Sequence, residues 1–301
     1  MTQTACRVRV TSPLQGPGRA RVDQPGGDQA VLMLDETIRA YYDLGLEQER
    51  LESSGEGSLE WARTLDVLAR LLPPAPARVL DVGGGPGAYA VWLAARGYDV
   101  HLIEPVPLHV EQATAAAAAS PSPFTAALGD ARTLAEPDAS ADVVLMLGPL
   151  YHLTERADRV TALREAHRVL RPGGIVCAVG ISRFASLFDG LLFGQLGDPT
   201  FAAIVAQDLR DGQHRNPSAD TPEWFTTTFF HLPHELAEEV AEAGFTLGSL
   251  IGIEGPGKYI GAGWADAANR EYIIAAARAV ETEPSLLGVS AHLMAVGRRA
   301  E

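Results

Sequence analysis

The chain has 301 residues, 47% of them hydrophobic and 21% charged, as expected of a soluble globular protein with room for one large α/β domain and insertions. Its net charge of −14 argues against a nucleic-acid substrate and against an anionic membrane surface, both of which call for basic side chains. The two cysteines, Cys6 and Cys177, form no disulfide or metal pattern, and no apolar run approaches a membrane span. With no signal-peptide hydrophobic region at its start, a cytoplasmic enzyme is the simplest expectation.

Residues 1–28 are rich in Gly, Pro, Gln and Arg without a periodic apolar face, and read as a flexible arm. Over 29–74 two helices are expected. The first carries Ile38 and Tyr41-Tyr42; the second runs through Trp61, Leu65, Leu68 and Leu72 and is stopped by Pro73-Pro74. Over 75–182 strands alternate with helices, the signature of a parallel sheet. The strands are Arg78–Val82, Val100–Ile103, Phe124–Leu128, Ala141–Leu147 and Gly174–Ile181. The alternation is then interrupted over 183–231 by two amphipathic segments and an aromatic run, Trp224 to His231. An insert of that length exceeds a connection and reads as a cap. Over 232–301 the core resumes with helix Pro233–Ala243, strand Phe245–Ile253, helix Asp266–Val280 and a strand near Val289–Val296. The expected fold is α/β: a Rossmann-like, doubly wound seven-stranded sheet with an N-terminal helical lid and a cap insertion.

The most informative stretch is Val79-Leu80-Asp81-Val82-Gly83-Gly84-Gly85-Pro86-Gly87, an apolar strand running into a glycine-dense turn and a helix. Such a turn lets a nucleoside cofactor press against the backbone and use the free N–H groups of the helix start. Gly83, Gly85 and Ala88 satisfy the dinucleotide fingerprint, while Gly83, Gly85 and Gly87 satisfy G-x-G-x-G. With Asp81 before the turn, Gly129-Asp130-Ala131 and Arg171-Pro172-Gly173-Gly174 downstream, residues 60–182 resemble the class I S-adenosylmethionine (SAM) methyltransferases.

That resemblance implies an antiparallel last strand, SAM as cofactor and S-adenosylhomocysteine (SAH) as product. It assigns Glu104, followed by Pro105, to the ribose hydroxyls, and Asp130 to the adenine amino group. Ala131 or Arg132 would supply a backbone N–H to the ring. Gly83, Gly84, Gly85 and Gly87 would approach the methionine and ribose, and the strand-end carbonyls of Gly83 and Leu147 the ammonium, with Asp81 and Gly148 also at strand ends beside the cofactor. Tyr41, Tyr42, Glu47 and Arg50 resemble the lid's cofactor- and substrate-facing residues. Ordinary structural roles stand beside these: helix-face core for the tyrosines, a surface pair for Glu47 and Arg50, and a helix N-cap for Asp130.

Methyl transfer from a sulfonium is an in-line displacement in which positioning does much of the work, and a base is needed only where the acceptor loses a proton. Tyr151 and His152 directly follow strand four, where the family places residues nearest the methyl group, and Tyr42 is a lid candidate. His152 and His231 are the candidate bases, with backbone-bonded and buried structural histidines as the alternatives. The Asn/Asp-Pro-Pro-aromatic motif of nucleobase amino methylation is absent: Gly148-Pro149-Leu150-Tyr151 stands there. Phe184, Phe188, Trp224, Phe225 and Phe230 are candidates to line a substrate pocket. No His/Asp/Glu spacing suggests a metal.

The expected activity is methyl transfer to a small, aromatic or heteroaromatic, natural-product-like acceptor on C, N or O. The rivals are an NAD(P)-dependent oxidoreductase, disfavoured because no Tyr-x-x-x-Lys follows, and a non-catalytic SAM-binding regulator. Oligomeric state is not encoded in any motif seen.

Overall fold

A computed structural model of the chain describes residues 35–45, 47, 55–218, 220–264 and 266–301. The arm expected at 1–28 and Arg50 lie outside the described residues. The lid begins with α1 (Glu36–Tyr42), whose N-cap Asp35 accepts the Thr37 N–H at 2.8 Å. α2 (Gly55–Leu71) then leads to the core. The core alternates as β1 (Arg78–Val82), α3 (Ala88–Ala94), β2 (Asp99–Glu104), α4 (Pro107–Ala119), β3 (Thr125–Leu128) and β4 (Ala141–Met146). A short α5 (Pro149–His152), α6 (Arg156–Val169) and the long β5 (Leu170–Ser182) follow.

The insert holds α7 (Ala185–Leu192), α8 (Pro199–Asp211), the two-residue β6 (Gln213–His214) and β7 (Thr228–His231). α9 (Pro233–Glu242), β8 (Thr246–Gly252), α10 (Ala267–Val280) and β9 (His292–Arg298) complete the core. The seven principal strands lie in the order β3-β2-β1-β4-β5-β9-β8, with β9 antiparallel to both of its neighbours. β6 and β7 add two short strands that were not expected. β7 pairs with Ile181 and Ser182 of β5, just past the end of β4, whose pairing with β5 stops at Ala178.

Two apolar layers form because strand side chains alternate between faces. Leu80, Val82, Val144, Met146, Val176 and Ala178 pack on one face, against α6 and α9. Val79, Val143, Leu145, Cys177, Val179 and Met294 pack on the other, against α2, α3 and α4. Cys177 is fully buried in this second layer, as its apolar surroundings suggested. The β5 register decides which side chains share a face near the cap. Val179 and Ile181 of β5 continue the second face, and Ile181 lies opposite both Phe230 and His292. The side chains of Phe230 and His292 therefore share that face, while His231 turns to the first.

Candidate functional site

The strand order reverses between β1 and β4, so a crevice opens beyond their carboxyl ends. The glycine turn forms its floor. The Gly83 N–H donates to the Ile103 carbonyl at 2.7 Å, and a Cβ on Gly83 would come within 2.8 Å of the Pro149 ring. Gly85 has φ +55°, a Cβ there would meet no atom within 4 Å, and the residue lines the clefts on both sides of the turn. A side chain at Gly85 would therefore fill space that a ligand can use.

On one side of the turn the cleft is lined by Glu104, Pro105, Asp130, Ala131, Arg132 and Gly148. Glu104 is 5% exposed. Its Oε2 accepts the Gly85 N–H at 3.0 Å, its Oε1 accepts the Val106 N–H at 3.1 Å, and His109 Nδ1 lies 3.3 Å from Oε1. Asp130 accepts three bonds from Arg132, from the backbone N–H at 2.8 Å and from Nε and Nη2 at 3.0 and 2.7 Å. It closes a local turn instead of capping a helix. On the other side Asp81, Gly84, Leu147, Glu60, Thr64 and His292 line a second cleft. Asp81 is 1% exposed, its Oδ2 lacks a hydrogen-bond partner, and burial, then the charge of Glu104, pushes its carboxyl up to about 7.

A third, larger cavity of about 440 Å³ opens beneath the cap. Tyr41, Phe201, Trp224, Phe225 and Phe230 give it an aromatic wall; Asp189, Lys258 and His292 stand on its polar side. The lid meets the cap here: Tyr41 stands edge-on to Phe225 at 5.3 Å, and Thr37 Oγ1 donates to Thr227 Oγ1 at 2.8 Å. Glu47 and Tyr151 line all three spaces. Tyr42 borders the first cleft and the cavity, and its hydroxyl lies 2.6 Å from His152 Nε2.

Several sequence expectations are corrected. His231 is fully buried on the opposite sheet face, its Nε2 3.3 Å from Glu239 Oε2, and it reaches none of the three spaces. The cause is strand alternation: Phe230 takes the cavity side and its neighbour must turn away. Burial holds the His231 imidazole below its usual range even against the pull of Glu239. Phe184 and Phe188 do not line the cavity either; Phe184 packs on Gly288, and Phe188 packs at 5.3 Å from Tyr259. Gly87, with φ +96°, closes the turn as the N-cap of α3 and abuts Phe124 and Ala113 instead of facing a cleft. Tyr41 faces the cap cavity and neither cleft beside the glycine turn.

The sequence reading missed Glu254 and His292. Glu254 follows β8 and is 2% exposed. One carboxylate oxygen lies 2.5 Å from His292 Nδ1; the other accepts the His292 N–H at 3.0 Å and the Ser290 hydroxyl at 2.7 Å. Burial pushes this carboxyl up, but His292, then Lys258 and Ser290, outweigh it and hold it down at about 2. Glu60, Glu254 and His292 each bring one oxygen or nitrogen within 4.8 Å of the others, a cluster that sequence spacing could not reveal. Among the described residues no helix is long and apolar enough to cross a membrane.

A methyltransferase-domain family model matches residues 79–174, from β1 through the start of β5. An uncharacterized methyltransferase of Mycobacterium tuberculosis is 38% identical over 133 residues, 43% of this chain and 51% of that protein. The chain thus spans about half the length of this relative. A ubiquinone/menaquinone biosynthesis C-methyltransferase of Acidiphilium cryptum is 32% identical over 203 residues, covering 64% of this chain and 76% of the relative. Among solved structures, a SAM-dependent methyltransferase from Mesorhizobium loti superposes with a TM-score of 0.54 at 17% identity, over 82% of this chain and 100% of that one. At that identity the likeness is one of fold.

Proposed function

Since this chain belongs to the class I SAM-dependent methyltransferases, we propose that it transfers the methyl group of SAM to a small aromatic or heteroaromatic acceptor of the natural-product kind, in the cytoplasm. One observation carries the reading. Two clefts flanking the glycine turn meet a cavity with an aromatic wall, and Glu47 and Tyr151 border all three. That is the topology a transfer needs, with donor and acceptor volumes sharing one boundary.

The residues fit SAM. Gly85 leaves open the space a Cβ would fill, and the unpartnered Oδ2 of Asp81 is suited to a cation. In this reading Glu104 and Pro105 hold the ribose, with the two backbone bonds to Glu104 fixing its carboxylate across the turn. Asp130, Ala131 and Arg132 border the adenine, and Asp81, Gly84, Leu147 and Gly148 the methionine end. When bound, SAM supplies an electrophilic methyl carbon on a sulfonium. The chain's part is to hold the acceptor in line with it and to exclude water, which the α1 lid and the Trp224-Phe225 wall are placed to do.

The test is calorimetric titration with SAM, SAH and NADH, followed by a labelled-methyl screen over phenolic, amine and carbon acceptors. Micromolar binding of SAM and SAH with label transfer is expected. NADH binding in their place would refute the cofactor assignment. SAM binding with no transfer to any acceptor class would favour the SAM-binding regulator.

A further inference from the structure

Among the described residues, Ala139 and Phe225 are the non-glycine positions with positive φ, and Phe225 stands in the wall of the acceptor cavity. Its φ of +67° and ψ of −164° fall in a region that a residue with a Cβ enters only when its surroundings force it there. The strained turn gives the ring its place. Phe225 stands 5.3 Å from Tyr41 of the lid, 5.8 Å from His152 and 6.5 Å from Tyr151, so it closes the gap between cap and lid. A relaxed backbone would carry the ring away from all three.

The surroundings that force this conformation are polar and local. Asn216 Nδ2 donates to the Thr221 carbonyl at 2.8 Å and to the Phe225 carbonyl at 3.0 Å. His214 Nε2 lies 2.8 Å from the Trp224 carbonyl, one peptide ahead of the strained residue. A carbonyl only accepts, so Nε2 carries a proton. On the other side of the ring Nδ1 lies 2.9 Å from Asp208 Oδ2, and that contact needs a second proton, on the ring or on the carboxyl. Asp208 and His214 are 1% and 2% exposed, so water does not take over either bond. The imidazole also stacks on Phe230, with centroids 4.7 Å apart and planes 14° from parallel. His214 thus joins α8, through Asp208, to two aromatic residues of the cavity wall.

Resting on the methyltransferase reading above, we propose that Phe225 determines which acceptors fit the cavity, and that the Asp208–His214 pair is the positioning device that holds it, through a proton shared between the two. The pair clamps the Trp224 carbonyl, and the clamped carbonyl keeps Phe225 in its strained turn against the lid. The site so built favours acceptors small enough to lie beside Phe225, and a released wall admits bulkier ones.

Amide hydrogen exchange on the unliganded protein reads the clamp directly, because the Trp224 and Phe225 N–H groups are bonded to the Thr221 and Pro222 carbonyls at 3.0 Å. The double variant Asp208→Leu/His214→Phe removes both polar partners together and strands no buried charge. It should speed exchange at these two amides by about tenfold or more, with β1 and β5 unchanged. Asp208→Asn should keep them slow, since its amide can donate to Nδ1 while the Nε2 proton still meets Trp224. Imidazole nitrogen spectra should show Nε2 of His214 protonated in both the wild type and Asp208→Asn. With whichever acceptor the labelled-methyl screen yields, the double variant should raise KM for that acceptor by about tenfold while kcat and KM for SAM stay within about twofold. Bulkier acceptors should gain relative to it, and Phe225→Ala should shift the preference the same way.

Unchanged exchange in the double variant, an unprotonated Nε2, fast exchange in Asp208→Asn, or an acceptor preference unmoved by Phe225→Ala would overturn the proposal. If the double variant fails to fold, Asp208→Asn and the nitrogen spectra still decide. The exchange measurement needs no SAM, so failure to bind SAM and SAH would strike the methyltransferase reading and leave the clamp standing.

Discussion

Asp81 combines near-complete burial, an unpartnered oxygen and a carboxyl pushed up to about 7. Its unfolded-state value is the ordinary 3.8. The folded protein therefore binds the extra proton more tightly, and this group's contribution to stability is present below about pH 4 and lost as pH rises toward about 7. At about 1.4 kcal/mol per tenfold change in proton affinity, the whole window is worth about 4 kcal/mol. Asp81→Asn keeps the shape, removes the titration, and relieves the repulsion from Glu104. Without ligand, the variant should match the wild type near about pH 4 and be more stable by up to about 4 kcal/mol above about pH 7.5. Urea unfolding of both proteins across that range measures the difference. Parallel stability curves would refute the reasoning, because a carboxyl with an ordinary pKa produces no divergence over this range. The same carboxylate should favour the cationic cofactor, so Asp81→Asn should also weaken SAM binding by about tenfold. Calorimetry near about pH 6 should detect proton release when SAM binds the wild type but not the variant.

Glu104→Ala should weaken SAM binding by about an order of magnitude or more in titration calorimetry, since a buried acceptor is lost; unchanged affinity would sink the ribose assignment. Gly85→Ala must place a side chain at φ +55° in the open cleft, so a modest stability loss of about 1 kcal/mol should accompany a much larger loss of SAM affinity, and equal affinity would show that the turn does not face the cofactor. His231→Ala should lower the melting temperature while leaving turnover near normal, and a large fall in kcat at unchanged stability would restore it to the active site. Glu239→Ala strands the buried Arg159, which it holds at 2.7 Å, and should cost about 3–5 kcal/mol in denaturant unfolding; a variant as stable as the wild type would mean that water reaches the guanidinium.

The parts of the site that could be read from sequence share one property: their positions follow from a strand's carboxyl end. Asp81, Glu104, Asp130 and Gly148 each close or follow a parallel strand, so strand prediction alone located them on the crevice rim. Glu254 obeys the same rule after β8 and was open to the same reading. His292 escaped because β9 runs the other way. In an antiparallel strand the amino end reaches the crevice, so a polar residue at its first position, ahead of Leu293-Met294-Ala295-Val296, was the signal to look for. His231 was misjudged for a related reason. The end of the aromatic run forms β7, which docks beside Ile181 and Ser182, and its register decides which of Phe230 and His231 faces the cavity. One residue of register exchanges the two faces, and nothing in the composition of Thr228-Phe229-Phe230-His231 selects between them. The choice is made at long range, by Glu239 and Arg159 on the opposite face, whose buried charges need a polar neighbour there. A hydrogen-bonding histidine satisfies that demand and a phenylalanine does not, so the buried ion pair and the aromatic wall of the acceptor cavity are two consequences of one register.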